Sequence, residues 1–346
     1  MNSLRGNSLK SVTESLRENM LSKVYINHIA AFLPHPPVDN ETMETVLGQI
    51  GERASRVRKI ILRSNQITSR HYALDPRIGA VTHTNAELAA AAVRALGRQG
   101  CPLQDIELLA CGTSLPDQLL PNHALMVHGE LGLPPCEAVA TAGICLAGTM
   151  ALKYAYLSIL AGQKKNAVAT ASENVSSLLR GLNFTEEIEA RAAQLEKQPA
   201  IAFEKDFLRW MLSDGAGALW LSPQPEGDAI SLRIDWIFQK SYTGELETCM
   251  YAGAEKTTSG RLKGWREYAP QAWLERSIFS IKQDVKLLND KIIEYTVVRP
   301  LRELSRQVLV EADQIDWFLP HYSSGFFRDP VRAGLQAAGC DIPQER

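Results

Sequence analysis

The sequence of 346 residues predicts an α/β protein built from two similar halves, the second of them cut short. Three observations carry that reading. DIELLACGTS at 105–114 and QIDWFLPHYSS at 314–324 share an acidic position, a buried strand, and a small or reactive residue leading into Ser. Each follows a helical pattern of similar length, NAELAAAAVRALGRQG before the first and YTVVRPLRELSRQVLV before the second. The Pro- and Gly-rich stretch at 223–227 lies between them as a boundary. It divides an N-terminal half, 23–223, from a C-terminal half, 228–346, with 1–22 as a polar extension. A duplicated unit sets its strand ends side by side, so groups just past the two strands can share one site. The first copy has a long continuation that contains Cys145; the second has a short one.

The elements follow in order. Residues 9–20 can form a short amphipathic helix, with Leu9, Val12, Leu16 and Met20 on one face. VYINHIAAFLP at 24–34 reads as a strand ending at Pro, followed by a charged helical stretch over 40–61. A Thr/Asn cap opens the Ala-rich helix that ends in Gly100. IELLACGTS is a strand, and a loop and short helix follow it to Pro134. Residues 137–162 hold a strand of small residues, a tight bend and a long apolar helix. AVATASENVS is a further strand, 185–199 a polar helical insertion, and SDGAGALWL a turn running into a strand. In the second half, ISLRIDWIFQ reads as a strand and 241–265 as irregular. A long helix is expected over 275–308, kinked at Pro300, then the strand IDWFLPH and a last helix through Ala338.

Composition sets the class. With 45% hydrophobic and 22% charged residues the chain is globular, and a net charge of −2 gives no argument for a nucleic-acid or membrane partner, so neither is expected. No apolar run approaches the roughly 20 residues of a membrane span, and the N-terminus lacks the apolar core of a signal peptide. A cytoplasmic location is expected. The six cysteines form no C-x-x-C pair or Cys/His cluster, so no metal site is expected.

Two residues stand out chemically. Cys145, in TAGICLAGTMALKYAYLSIL, follows a bend of small residues at the start of a long helix. A helix N-terminus stabilises a thiolate, so this thiol is expected to be acidic and nucleophilic. Ala142, Gly143, Ala147 and Gly148 leave room for a carbonyl to approach backbone N–H groups. A buried core cysteine is the alternative reading. His321, at the end of the strand in the second copy, is placed to project into a cleft beside the Cys145 helix. SDGAGA at 213–218 has Trp220 where a dinucleotide fingerprint needs its third Gly, and it precedes a strand. It reads instead as a turn that structures the site.

Cys145 in AGICLAG, His321 in DWFLPH, TSRHYA at 68–73 and SDGAGA together resemble the thiolase superfamily, specifically β-ketoacyl-ACP synthase III. The likeness runs from about Val24 onward. It implies a five-layered αβαβα fold of two similar halves and a homodimer. It also implies a Cys, His and Asn catalytic set, in which Cys145 matches the nucleophile and His321 the catalytic His. The family's Asn and its second oxyanion donor lie further along than Arg346, so a C-terminally truncated form is expected. HYSS stands where the family has an HQAN-type sequence, which puts Ser324 at a position usually held by Asn. Arg63 falls near the family's cofactor-binding Arg, one residue out of register and without the preceding Trp; it is carried over as a substrate contact. Leu120, in LLPNHA, matches the residue that closes the partner subunit's acyl pocket.

The expected chemistry is acyl transfer. Cys145 takes an acyl group from acyl-CoA or acyl-ACP, both substrates, with no bound cofactor, and a malonyl- or β-ketoacyl-thioester then condenses with it. The departures at HYSS and Arg63 point to specialised-metabolite synthesis. Two other readings stay open: transfer to an O or N nucleophile without decarboxylation, and a non-catalytic subunit partnering an active homologue.

Overall fold

The computed structural model describes residues 23–50, 54–55, 58–188, 190, 207–227, 229–308 and 312–343. The expected helix at 9–20 and most of the insertion at 185–199 lie outside them. The core is a mixed six-stranded sheet of order β5-β4-β6-β7-β1-β8. Its strands are β1 (Tyr25–Phe32), β4 (Leu108–Gly112), β5 (Glu137–Thr141), β6 (Ala167–Glu173), β7 (Gly215–Ser222) and β8 (Leu232–Arg233). The short β2 (Val38–Asp39) and β3 (Ser69–Arg70) pair apart from it. Strand β4 runs parallel to both β5 and β6, so three carboxyl ends converge on one edge. The remaining pairings are antiparallel.

The apolar run in β4 is explained by helices on both faces of the sheet. Leu109 and Cys111 face a cluster with Leu88, Val93 and Leu96, from the helix Asn85–Arg98. Leu108 and Ala110 face a cluster with Ala151, Ala155 and Ile159, from the helix Ala147–Leu160. The expected Thr cap is present. Thr84 Oγ1 accepts from Glu87 N at 3.1 Å and the Glu87 carboxylate accepts from Thr84 N at 2.7 Å. This box satisfies two backbone donors that would otherwise be orphaned at the helix start. From here α1 denotes Asn85–Arg98, α2 His123–Leu131 and α3 Ala147–Leu160.

The second half departs from expectation in three places. Residues 315–321 form no strand: no neighbouring chain among the described residues pairs with them, and Trp317 and Leu319 are exposed. An extended segment becomes a strand only when its N–H and C=O groups find a ladder. Of ISLRIDWIFQ, only Leu232–Arg233 pairs, and it adds to β1 at the edge of the first sheet. The long helix begins at Val285, since Ser277 adopts a left-handed φ of 43° and 282–283 pairs with 250–251. It runs as Val285–Ile293, a π-helical segment Glu294–Val298, and Arg299–Gln307. The irregularity expected at Pro300 takes this form because proline has no N–H to give the preceding turn.

Candidate active site

The tight turn before α3 is set by close backbone contact. A Cβ on Gly112 would lie 2.4 Å from Ala147 O, and one on Gly148 would lie 2.8 Å from the Ala171 Cβ. The start of α3 therefore rests directly on the carboxyl ends of β4 and β6. Thr141 Oγ1, at the end of β5, donates to Ala147 O at 2.8 Å. Over this platform the chain makes a 3-10 turn, Ile144–Leu146, in which Ile144 holds a left-handed φ of 51°. That conformation is unfavourable for a β-branched side chain and persists only where its surroundings impose it. Cys145 sits at the middle of the turn, just ahead of α3 instead of within its first turn.

Cys145 is exposed, whereas Cys101 and Cys111 are buried and Cys136, Cys249 and Cys340 are intermediate. Its thiol is pushed up, chiefly by desolvation and then by the negative charge of Glu173, with a smaller opposing pull from backbone N–H. The acidic thiol expected from the helix start is not what the site produces. Accessibility, not a stabilised thiolate, distinguishes this cysteine. Cys111 is driven further up by full burial and Cys101 is raised to about 11.

Glu173, which sequence reasoning passed over, ends β6. Its carboxylate accepts from Ser114 N at 2.7 Å and from Thr113 Oγ1 at 3.1 Å. Desolvation raises its pKa against the lowering effect of those bonds. The signal available in the sequence was an acidic residue closing the otherwise small and neutral run AVATASE.

Two of the expected motifs meet. Asp214, in SDGAGA, accepts from Ala73 N at 2.6 Å and Ser176 N at 2.9 Å and also bonds the Ser176 hydroxyl, and Asp214 N donates to His71 O at 2.8 Å. Arg70 of TSRHYA is buried and reaches Trp210 O at 2.6 Å. Both motifs thus tie β3 and β7 into the scaffold. The glycines of SDGAGA belong to β7 and not to a phosphate-binding loop: Gly215 opens the strand opposite Glu173 of β6, and Gly217 pairs with β6 on one side and β1 on the other.

The remaining candidates are dispersed. His321 is exposed in the unpaired segment, and no hydrogen bond among the described residues joins it to Cys145. Ser324 is buried and precedes the 3-10 turn Gly325–Phe327. A Cβ on Gly325 would meet Gln66 Oε1 at 2.4 Å, so this turn packs beside the helix Arg58–Asn65 that carries Arg63, itself exposed. Leu120 is 84% exposed at the loop before α2. Among the described residues no group of three or more His, Cys, Asp or Glu side chains could hold a metal ion. No helix among them is long and apolar enough to cross a membrane.

No family model matches the chain. It is 24% identical over 306 residues to the β-ketoacyl-ACP synthase III of Sphingopyxis alaskensis, covering 88% of this chain and 78% of that one. Among solved structures, the tetronic acid condensing enzyme AbyA1 aligns with a TM-score of 0.66 at 22% identity, over 91% of this chain and 82% of its own. OleA of Xanthomonas campestris, solved with bound lauric acid and lauroyl-CoA, aligns at 0.56 and 18% identity, over 94% and 84%. The fold is that of the thiolase-like β-ketoacyl-ACP synthases III.

Proposed function

We propose, from the premise that this chain is a β-ketoacyl-ACP synthase III-like protein of the thiolase superfamily, that Cys145 accepts an acyl group from acyl-CoA or acyl-ACP. The observation that carries the reading is the placement of the exposed Cys145 on a strained turn over the converged ends of β4, β5 and β6. Attack of Sγ on the thioester carbonyl forms the new S–C bond and expels the carrier thiolate, which takes up the proton.

The acyl-enzyme then condenses with a malonyl- or β-ketoacyl-thioester, with His321 acting on the carbonyl oxygen of this second substrate, in fatty-acid-like or specialised-metabolite synthesis. Arg63 and the Ser324 turn, packed at the same helix, supply contacts to the carrier. We take the active form to be a cytoplasmic homodimer. The outer edge of β5 has no partner among the described residues, which leaves it open to a second copy.

Acyl transfer to an O or N nucleophile by the same Cys145 and His321, without decarboxylation, is the second reading. Incubating the acylated protein with labelled malonyl-CoA and malonyl-ACP distinguishes them. Condensation releases carbon dioxide in proportion to loss of the Cys145 adduct. An adduct that passes to hydroxyl or amine acceptors, with no carbon dioxide from either malonyl thioester, establishes the second reading. A chain that takes no acyl group is a non-catalytic partner subunit.

A further inference from the structure

The loop at 113–122, which leaves β4 beside Cys145 and carries Leu120, is fastened along its length. At its start, Glu173 accepts from Ser114 N at 2.7 Å and Thr113 Oγ1 at 3.1 Å. In its middle, Asp117 accepts from Asn85 N at 2.6 Å and Ala86 N at 3.0 Å, at the beginning of α1. Just past its end, His123 Nε2 lies 3.2 Å from Ser172 Oγ. Ser172 and Glu173 are adjacent in β6, so one strand end holds both ends of the loop. Buried Asn85 connects them, donating from Nδ2 to Thr113 Oγ1 at 2.8 Å, while its carbonyl accepts from Ser172 Oγ at 3.3 Å.

Thr113 Oγ1 already accepts from Asn85 Nδ2 and from Leu115 N at 3.2 Å. Its proton is thereby committed to Glu173. Only an acceptor can occupy both positions opposite Ser114 N and Thr113 Oγ1, which a carboxylate does and an amide does not. No cation pairs with Glu173 among the described residues, and the titratable groups around the loop are Cys145, Asp117 and His123.

We propose that Glu173 is a positioning residue of the acyl-transfer site, clamping the loop at 113–122 to the end of β6 beside the nucleophile. This rests on the acyl-transfer reading for its purpose and for the KM half of its test; the alkylation half stands without it. Glu173→Gln removes the charge and one of the two acceptors. Glu173→Asp keeps the charge but withdraws it by one methylene from Ser114 and Thr113.

The experiment reads two quantities: the pH profile of Cys145 alkylation by iodoacetamide, and KM for acyl-CoA in acylation of Cys145. A carboxylate beside a thiol opposes its ionisation. Glu173→Gln should therefore shift the alkylation profile to lower pH and raise the rate at fixed pH roughly three- to tenfold. It should also raise KM several-fold by loosening the loop. Glu173→Asp should raise KM with little movement of the profile. Should Glu173→Gln fail to fold, Thr113→Val carries the test: KM rises and the profile stays. Variants that lower only the melting temperature, with profile and KM unchanged, would overturn the proposal. Because alkylation needs no acyl donor, a protein whose profile shifts as expected but which takes no acyl group refutes the acyl-transfer reading and leaves the placement of Glu173 beside Cys145 standing; an acylated protein with unchanged profile and KM refutes the Glu173 proposal alone.

Discussion

Ile144 holds its left-handed φ of 51° at a cost on the order of 1–3 kcal/mol. The return is a cysteine held up from the sheet, exposed, in front of a helix start. Its raised pKa means that reactivity rises with pH across the alkaline range, because only the thiolate attacks. The base that takes the proton during acylation is then a central question. If His321 serves the second substrate, His321→Ala should largely spare Cys145 acylation and lower condensation about 10²–10⁴-fold. Single-turnover measurement of the two half-reactions checks this. Equal losses in both would make His321 the base for Cys145, and the segment at 315–321 would have to bring the two side chains together during turnover.

At the scale of elements, the site depends on a helix lying closer to a strand than a side chain allows. Gly112→Ala places a Cβ against the backbone of Ala147, which cannot rotate away. The substitution should cost about 1–3 kcal/mol by overpacking. It should also slow Cys145 alkylation, since lifting the start of α3 displaces the nucleophile with it. Thermal melting and alkylation rate measured on the same sample test both effects. A loss of stability with unchanged alkylation would detach the turn from the β4 contact. This half of the fold was legible in the sequence because its signals are local. The apolar run of β4, the Thr84 cap, and the small residues around Cys145 each specify their own segment. What escaped was non-local. Residues 315–321 have strand composition but find no ladder partner among the described residues, and 232–233 joins a sheet begun some two hundred residues earlier. Glu173 was missed for the same reason, since its partners Thr113 and Ser114 leave a different strand.

At the scale of the molecule, apolar side chains gather on the side of α3 turned away from its sheet. Leu146, Met150, Tyr154 and Leu157 are all substantially exposed there. Leu120, at 84% exposure, fills no core of its own chain. We propose that it forms the floor of the other subunit's acyl pocket in a dimer. Leu120→Phe should shift chain-length preference toward acetyl-sized donors, by about 1–3 kcal/mol per methylene excluded. In mixed dimers of Cys145→Ala and Leu120→Phe subunits, the intact cysteine faces an unchanged Leu120. The wild-type profile should therefore return. A Phe-like profile in the mixed dimer would place Leu120 in its own subunit's pocket. The central claim, that this molecule carries acyl groups on one cysteine, is tested most directly by intact mass and peptide mapping after incubation with a series of acyl-CoAs. The account predicts one acyl group per chain, on Cys145 alone and absent from Cys145→Ala. Acylation that survives in Cys145→Ala, or none with any donor from acyl-CoA or acyl-ACP, would contradict it.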